Sequence, residues 1–261
     1  MTFKKMRIEV LGCGTSTGVP LIHCDCKVCR SRNPKNKRLR ASIWIKVDGT
    51  SLLVDTSIDL RQQAIRSKID RIDAILFTHP HADHIGGVDE IRSYNFIQRE
   101  RIPGYGHDWT IEQLKGRFPY MFSDTLIEGG GVSQIDLHEF KFNEGAFKVK
   151  NLSILPIELK HGSQTVAGFR IGKFAYLTDC HEISDHSLSQ LHGLDVLILD
   201  CLRLSKHGTH LNYEEALMYS SRIQAKKTIL THMSHDFDYV SFSRKLPKKH
   251  ALAYDGMIIN I

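Results

Sequence analysis

The stretch His79-Pro80-His81-Ala82-Asp83-His84 sets three imidazoles and a carboxylate within six positions, directly behind the apolar run Ala74 to Phe77. Imidazole nitrogen and carboxylate oxygen are donors suited to zinc, manganese or iron, and the bend imposed by Pro80 lets alternate residues point at two different cations. Two cations a few ångströms apart would lower the pKa of a water between them, make hydroxide available near neutral pH and neutralise the oxygens of a substrate under attack. No serine or cysteine nucleophile is then needed. A polar helix start with chance histidines is the bland alternative. The length of the motif and its position behind a buried strand argue against it.

A second constellation is Cys24-Asp25-Cys26-Lys27-Val28-Cys29, three thiols at the short spacing of a structural zinc site that still wants a fourth ligand. No fourth cysteine is nearby. Without a secretion signal, six cysteines favour metal binding or free thiols over disulfides. Cys13, Cys180 and Cys201 show no ligand spacing and read as buried thiols.

The elements that must carry these groups are short β-rich runs: Ile8 to Leu11, Ile43 to Val47, Leu52 to Val54, Ala74 to Phe77, Phe174 to Leu177, Val196 to Leu199 and Thr228 to Leu230. Most end in a polar residue, as expected where an α/β fold builds a site at strand ends. Between them lie helical stretches, the clearest beginning at Asn212, with Glu215 completing a capping box and Leu211 set to staple against Ala216. From Arg99 to Gly131 the prolines, glycines and the Gly129-Gly130-Gly131 run predict irregular surface structure. No internal repeat is visible.

The 261 residues, 41% hydrophobic and 25% charged, match one ordinary globular domain spanning residues 1–261, not a disordered, fibrous or membrane protein. Arg7 and Glu9 interrupt any signal-peptide core, which predicts a cytoplasmic protein. The formal charge of +6 leans towards anionic partners. Its densest source, Arg30 to Arg40, reads as a solvated loop able to touch phosphate.

Taken together, these residues resemble the metallo-β-lactamase superfamily, whose signature is His-x-His-x-Asp-His after a strand, and the likeness spans nearly the whole chain. It implies an α/β fold, an αββα sandwich of two mixed β-sheets flanked by helices. It also implies further ligands: His161 in Leu159-Lys160-His161-Gly162, Asp179 in Tyr176-Leu177-Thr178-Asp179 and His232 in Ile229-Leu230-Thr231-His232. On this likeness His79, His81 and His161 hold one divalent metal, Asp83, His84 and His232 hold the other, and Asp179 bridges them. Asp83 counts among the catalytic residues as a ligand, not as a general base.

The cysteine cluster follows a glycine-rich first loop, Gly12 to Pro20, which lacks the Walker lysine and any clear GxGxxG and reads as a tight turn near the site. That combination is similar to the PhnP-like phosphodiesterases, in which a histidine three places after the final active-site histidine completes a structural zinc. Here the set is Cys24, Cys26, Cys29 and His235. In the same group a histidine just before a helix faces the substrate phosphate and protonates the leaving oxygen. His210 matches it, with His207 as the neighbouring competitor.

The resemblance thus implies a metal-dependent phosphodiesterase with two active-site divalent ions, zinc or manganese, and one structural zinc. Its substrate would be a small phosphodiester, a cyclic phosphate or a nucleotide. Nucleic acid is admitted but not favoured, no membrane partner is expected, and a homodimer is allowed. A ribonuclease Z-like nuclease would want a glycine- and proline-rich arm between His161 and His210, where none stands. A PqqB-like cofactor-biosynthesis protein, with a similar cysteine cluster, is the other alternative. A non-catalytic scaffold is disfavoured by seven intact ligands.

Overall fold

Alternation along the strands separates two apolar faces. Leu52, Val54, Ala74 and Leu76 belong to one buried cluster, while Leu53, Ile75 and Phe77 belong to another. A sheet with both faces apolar must be covered on both. The computed structural model, which describes residues 5–122 and 131–261, satisfies that with two packed sheets and helices outside them.

The strands are β1 (Met6–Gly12), β2 (Ser42–Val47), β3 (Thr50–Val54), β4 (Ala74–Leu76), β5 (Ile102–Gly106), β6 (Ile135–Glu139) and β7 (Phe147–Val149). They continue as β8 (Leu152–His161), β9 (Gln164–Ile171), β10 (Phe174–Leu177), β11 (Val196–Asp200), β12 (Lys227–Thr231), β13 (His250–Leu252) and β14 (Ile258–Asn260). One sheet runs β14-β1-β2-β3-β4-β5-β6 and the other β13-β12-β11-β10-β9-β8-β7. Read from β14 and from β7, each sheet begins with three antiparallel pairings and ends with three parallel ones. The two halves therefore repeat one topology that no sequence repeat betrays.

The helices are α1 (Leu60–Ser67), α2 (Ala82–Ile85), α3 (Ile91–Gln98), α4 (Asp108–Arg117), α5 (Pro119–Phe122), α6 (Asp185–Ser189), α7 (Tyr213–Ile223) and α8 (Tyr239–Ser243). Leu60, Ile91, Tyr94 and Leu114 carry α1, α3 and α4 onto the outer face of the first sheet. Leu188 from α6 and Ala216, Tyr219 and Ile223 from α7 join the inter-sheet cluster from the second sheet's side. Each fully buried leucine or isoleucine among them contributes about 1.5–3 kcal/mol relative to exposure. The capping box expected at Asn212 is present: its side chain accepts from Glu215 N–H, and the Glu215 carboxylate accepts from the Asn212 N–H.

The expectation of irregular structure from 99 to 131 is overturned for much of that span. Ile102–Gly106 is a strand with alternating burial, followed by α4 and α5. Gly104 is no breaker: a Cβ there would meet Ile135 Cγ2 at 2.8 Å and Phe77 at 3.0 Å, so the packing of β5 demands its absence. Gly129 and Gly130 lie outside the described residues. No helix among the described residues is long and apolar enough to cross a membrane.

Candidate metal centre

Parallel strands deliver their C-terminal ends to one edge, and the polar residues collect there. Beyond β4 come Thr78 and His79, His81 caps α2, and Asp83 and His84 lie within it. His161 ends β8, Asp179 follows β10, Asp200 ends β11, His210 precedes α7 and His232 follows β12. Asp179 and His232 have positive φ, 55° and 59°, as does Asp55 after β3, at 63°. Left-handed backbone at three buried non-glycine residues is strain held by the surrounding fold, and it marks a functional edge.

Donor atoms of His79, His81 and His161 form one close group, and those of Asp83, His84, Asp179 and His232 another, each within 4.8 Å internally. Asp179 lies between the two: Oδ1 is 3.8 Å from His79 Nε2 and 3.2 Å from His232 Nε2, while Oδ2 is 3.2 Å from His84 Nε2. The far side of each ring explains why Nε2 faces inward. His84 Nδ1 donates to Asp55 Oδ2 (2.7 Å), and His161 Nδ1 donates to Thr209 O (2.9 Å). The Thr78 hydroxyl donates to Asp55 (2.7 Å) and accepts from His79 Nδ1 (3.0 Å). Such partners fix the tautomer that leaves the inner nitrogen a lone pair.

Among the described residues, the buried Nε2 atoms of His79, His84 and His232 have no hydrogen-bond partner. Electron-rich atoms separated by 3.2–3.8 Å and aimed past one another suit ligands that share a cation. Bonds of about 2.1 Å would set neighbouring donors roughly 3.0–3.4 Å apart. Burial holds His79, His81 and His161 below the usual imidazole range, His161 at about 4, so their lone pairs stay free at neutral pH. Asp83 is lowered too, but for another reason: burial opposes ionisation, while the neighbouring His84 and His232 outweigh it and hold the carboxyl well below its usual range. The donor set fits divalent metal ions.

His210 stands beside this centre. Its Nδ1 is 3.3 Å from Asp200 Oδ1, its Nε2 is 3.9 Å from Asp179 Oδ1, and its ring stacks on His232 at 4.8 Å. Burial lowers its pKa, but the Asp200 carboxylate more than compensates and raises it to about 9. Its neighbour His207 is half-buried, with its ring 5.3 Å from that of His210.

Cys24, Cys26, Cys29 and His235 also meet. The three sulfurs lie 3.2, 3.6 and 3.4 Å from His235 Nδ1. A tetrahedral zinc with Zn–S near 2.3 Å and Zn–N near 2.0 Å separates sulfur from nitrogen by roughly 3.5 Å, so this geometry also fits. The Cys29 N–H on its sulfur helps hold the Cys26 thiol at about 7.

The loop carrying these cysteines corrects the reading of Arg30 to Arg40 as solvated. Arg38 is buried and donates to the carbonyls of Ser234 and Phe237. Lys35 lies over the rings of Tyr239 and Tyr254 at 4.5 and 4.2 Å. Arg40 pairs with Asp59, and Lys37 donates to Cys29 O. Asn36 is fully buried, donates to Asp238 and accepts from Tyr239 N–H. Arg38 and Lys35 thus fasten the cysteine loop to the segment after His232, while Arg30 and Arg32 stay exposed.

Sequence reasoning missed Asp55 and Asp200. Asp200 Oδ1 also accepts Asp179 N–H (3.0 Å), and its Oδ2 accepts Leu211 N–H (3.0 Å), so one carboxylate orients the backbone of two site segments. The available signal was an aspartate directly after an apolar run, as in Val54-Asp55 and Leu199-Asp200. Trp109, edge-on to His81 at 6.3 Å, and Arg117, donating to Pro80 O at 2.7 Å, gave no sequence signal.

The chain also resembles known proteins. The chain is 38% identical to a chain described as a new diphosphatase from the PhnP family, with a TM-score of 0.92 covering 100% of this chain and 98% of that one. It is 34% identical over 97% of its length to an octanoyltransferase of Porphyromonas gingivalis, but spans only 51% of that relative. A coenzyme PQQ synthesis protein B of Rhodopseudomonas palustris is 31% identical over 75% of this chain and 73% of its own. The model of the β-lactamase superfamily domain matches residues 50–233, and with two mixed sheets flanked by helices around this histidine and aspartate edge, the chain belongs to the metallo-β-lactamase superfamily.

Proposed function

We propose that this chain is a metal-dependent phosphohydrolase that cleaves a P–O bond in a small phosphodiester or diphosphate. The observation that carries the reading is the Asp179 carboxylate lying between two donor groups, with unpartnered Nε2 atoms of His79, His84 and His232 converging on it. Bound divalent ions would supply an activated water and neutralise phosphoryl oxygens.

The chain's own residues then have distinct tasks. His79, His81 and His161 would hold one ion and Asp83, His84 and His232 the other, with Asp179 available to both. Asp55 and Thr209 O orient His84 and His161. His210, kept protonated by Asp200, gives its Nε2 proton to the departing oxygen. Cys24, Cys26, Cys29 and His235 would hold a structural zinc, bracing the segment that bears His232.

The likeness to a PhnP-family diphosphatase over the whole chain supports phosphoryl chemistry and widens the substrate from diesters to diphosphates. Acyl transfer is not carried over from the octanoyltransferase. About half of that relative lies outside the match, and Cys13, Cys180 and Cys201 are buried with thiols pushed up by desolvation, which makes them poor nucleophiles. The ribonuclease Z alternative is disfavoured because the run from His161 to His210 is taken up by β9, β10, α6 and β11 and their connections, with no glycine- and proline-rich arm inserted. Assay of the purified protein against a cyclic nucleotide, a linear diester, a diphosphate diester and precursor tRNA, before and after chelation, tests the proposal. Chelator-sensitive turnover of a small phosphate substrate is expected. Turnover of precursor tRNA alone would overturn the small-substrate reading.

A further inference from the structure

We propose that His207 is a specificity-determining residue of this site, donating its Nε2–H to the second phosphoryl group of a diphosphate whose first phosphoryl group lies at the metal centre. The inference rests on the phosphohydrolase reading and deepens it by naming the substrate class.

His207 belongs to none of the close donor groups, yet it is no loose surface side chain. Its Nδ1 accepts from Thr209 N–H (3.3 Å) and lies 3.2 Å from Thr209 Oγ1. Because a backbone N–H can only donate, Nδ1 carries the lone pair and the ring proton sits on Nε2. The same turn is locked to the centre: Thr209 O accepts from His161 Nδ1, and Thr209 Cγ2 packs where a Cβ on Gly162 (φ 60°) would approach to 3.1 Å. Arg203 closes the loop from the other side, donating to the Ser205 and Lys206 carbonyls and adding positive charge.

The rings form a file leading outward. His232 is fully buried and stacks on His210 at 4.8 Å, and half-buried His207 follows at 5.3 Å. A phosphoanhydride places its second phosphoryl group one bridging oxygen beyond the first, on the leaving side that His210 faces. A donor one ring farther out than His210 is set to meet that group. Burial, followed by the nearby His210 and Arg203, holds His207 below the usual imidazole range, so at neutral pH it is a neutral donor with no further proton to give.

In the reaction, a water oxygen bonds to the first phosphorus and the bridging P–O bond breaks. The electron pair stays on the bridging oxygen, which takes the proton of His210. The products are two phosphates or phosphomonoesters. A one-phosphorus diester offers His207 no such oxygen.

The test uses the metal-loaded protein with ADP-ribose, a diester of diphosphate, and bis(p-nitrophenyl) phosphate, a one-phosphorus diester. His207→Ala should raise KM for ADP-ribose on the order of tenfold, the usual effect of losing a hydrogen bond to a charged group. The ratio of kcat/KM for the diphosphate over the diester should fall by about the same factor. His207→Gln, which keeps an N–H donor, should recover most of it, and bound metal should be unchanged. An unchanged ratio, equal losses on both substrates or loss of metal would overturn the inference. Wild-type protein that cleaves the diester but not ADP-ribose would also overturn it while sparing the phosphohydrolase reading. Chelator-resistant or absent turnover of both would sink the two together.

Discussion

Replacing His210 with alanine separates catalysis from architecture, because the structure assigns its losses to different quantities. Asp200 accepts from Asp179 N–H, Leu211 N–H and His210 Nδ1, and the variant removes only the last. A hydrogen bond to a charged group is worth about 1.5–3 kcal/mol, so a modest drop in melting temperature is the expected structural cost. The metal ligands keep their own orienting partners, Asp55 on His84 and Thr209 O on His161, so metal content should hold. Turnover should fall by roughly 10²- to 10⁴-fold, the range of general acid catalysis and about 3–5 kcal/mol of barrier. The loss must depend on the leaving group. Nitrophenolate departs with little protonation, so an aryl diester should lose far less than an alkyl or ribose diester. Steady-state kinetics on both substrates, with metal analysis of the same samples, decides the matter. Equal losses would assign His210 to phosphate binding, and no loss on either would remove it from the chemistry.

Asp179→Ala or His81→Ala should abolish hydrolysis and lower active-site metal content while circular dichroism stays close to that of the parent. Full activity in either variant would refute its assignment as a ligand. Cys26→Ala should release about one zinc per chain and lower the melting temperature, since a closed structural site contributes directly to folding. A variant that keeps its metal and melts like the parent would refute the structural zinc. Asp55→Asn should weaken active-site metal affinity by about 10- to 100-fold, the usual cost of disturbing a partner behind a ligand, measured by competition with a chelator. Unchanged affinity would reduce Asp55 to a structural carboxylate.

The sequence exposed the candidate centre because its donor residues sit where chemistry is written locally: His79 to His84 within six positions, and Asp179 and His232 at the ends of apolar runs. The seven strands expected from those runs are all present, with ends shifted by a residue or two. What stayed hidden depended on tertiary partners. β8 carries Pro156 and Glu158 in its interior, and it is a strand because Pro156 pairs with Phe169 in a long antiparallel ladder. β5 looked broken because Gly104 reads as flexibility until Ile135 and Phe77 are seen against it. Asp55 and Asp200 act on residues 29 and 10 positions away, a relation that no local pattern encodes. The basic run around Arg38 misled for the same reason, since charge along the chain does not reveal which guanidinium will be buried under carbonyls.

The most direct measurement is metal-dependent turnover of a small phosphate substrate. The purified protein is stripped with a chelator, assayed on ADP-ribose and a simple diester, and reloaded with zinc or manganese while metal per chain is counted. The account predicts that activity vanishes on stripping and returns as the active-site ions are restored, and that Asp179→Ala neither binds them nor recovers. Hydrolysis that persists in the stripped protein, or in Asp179→Ala, would contradict it.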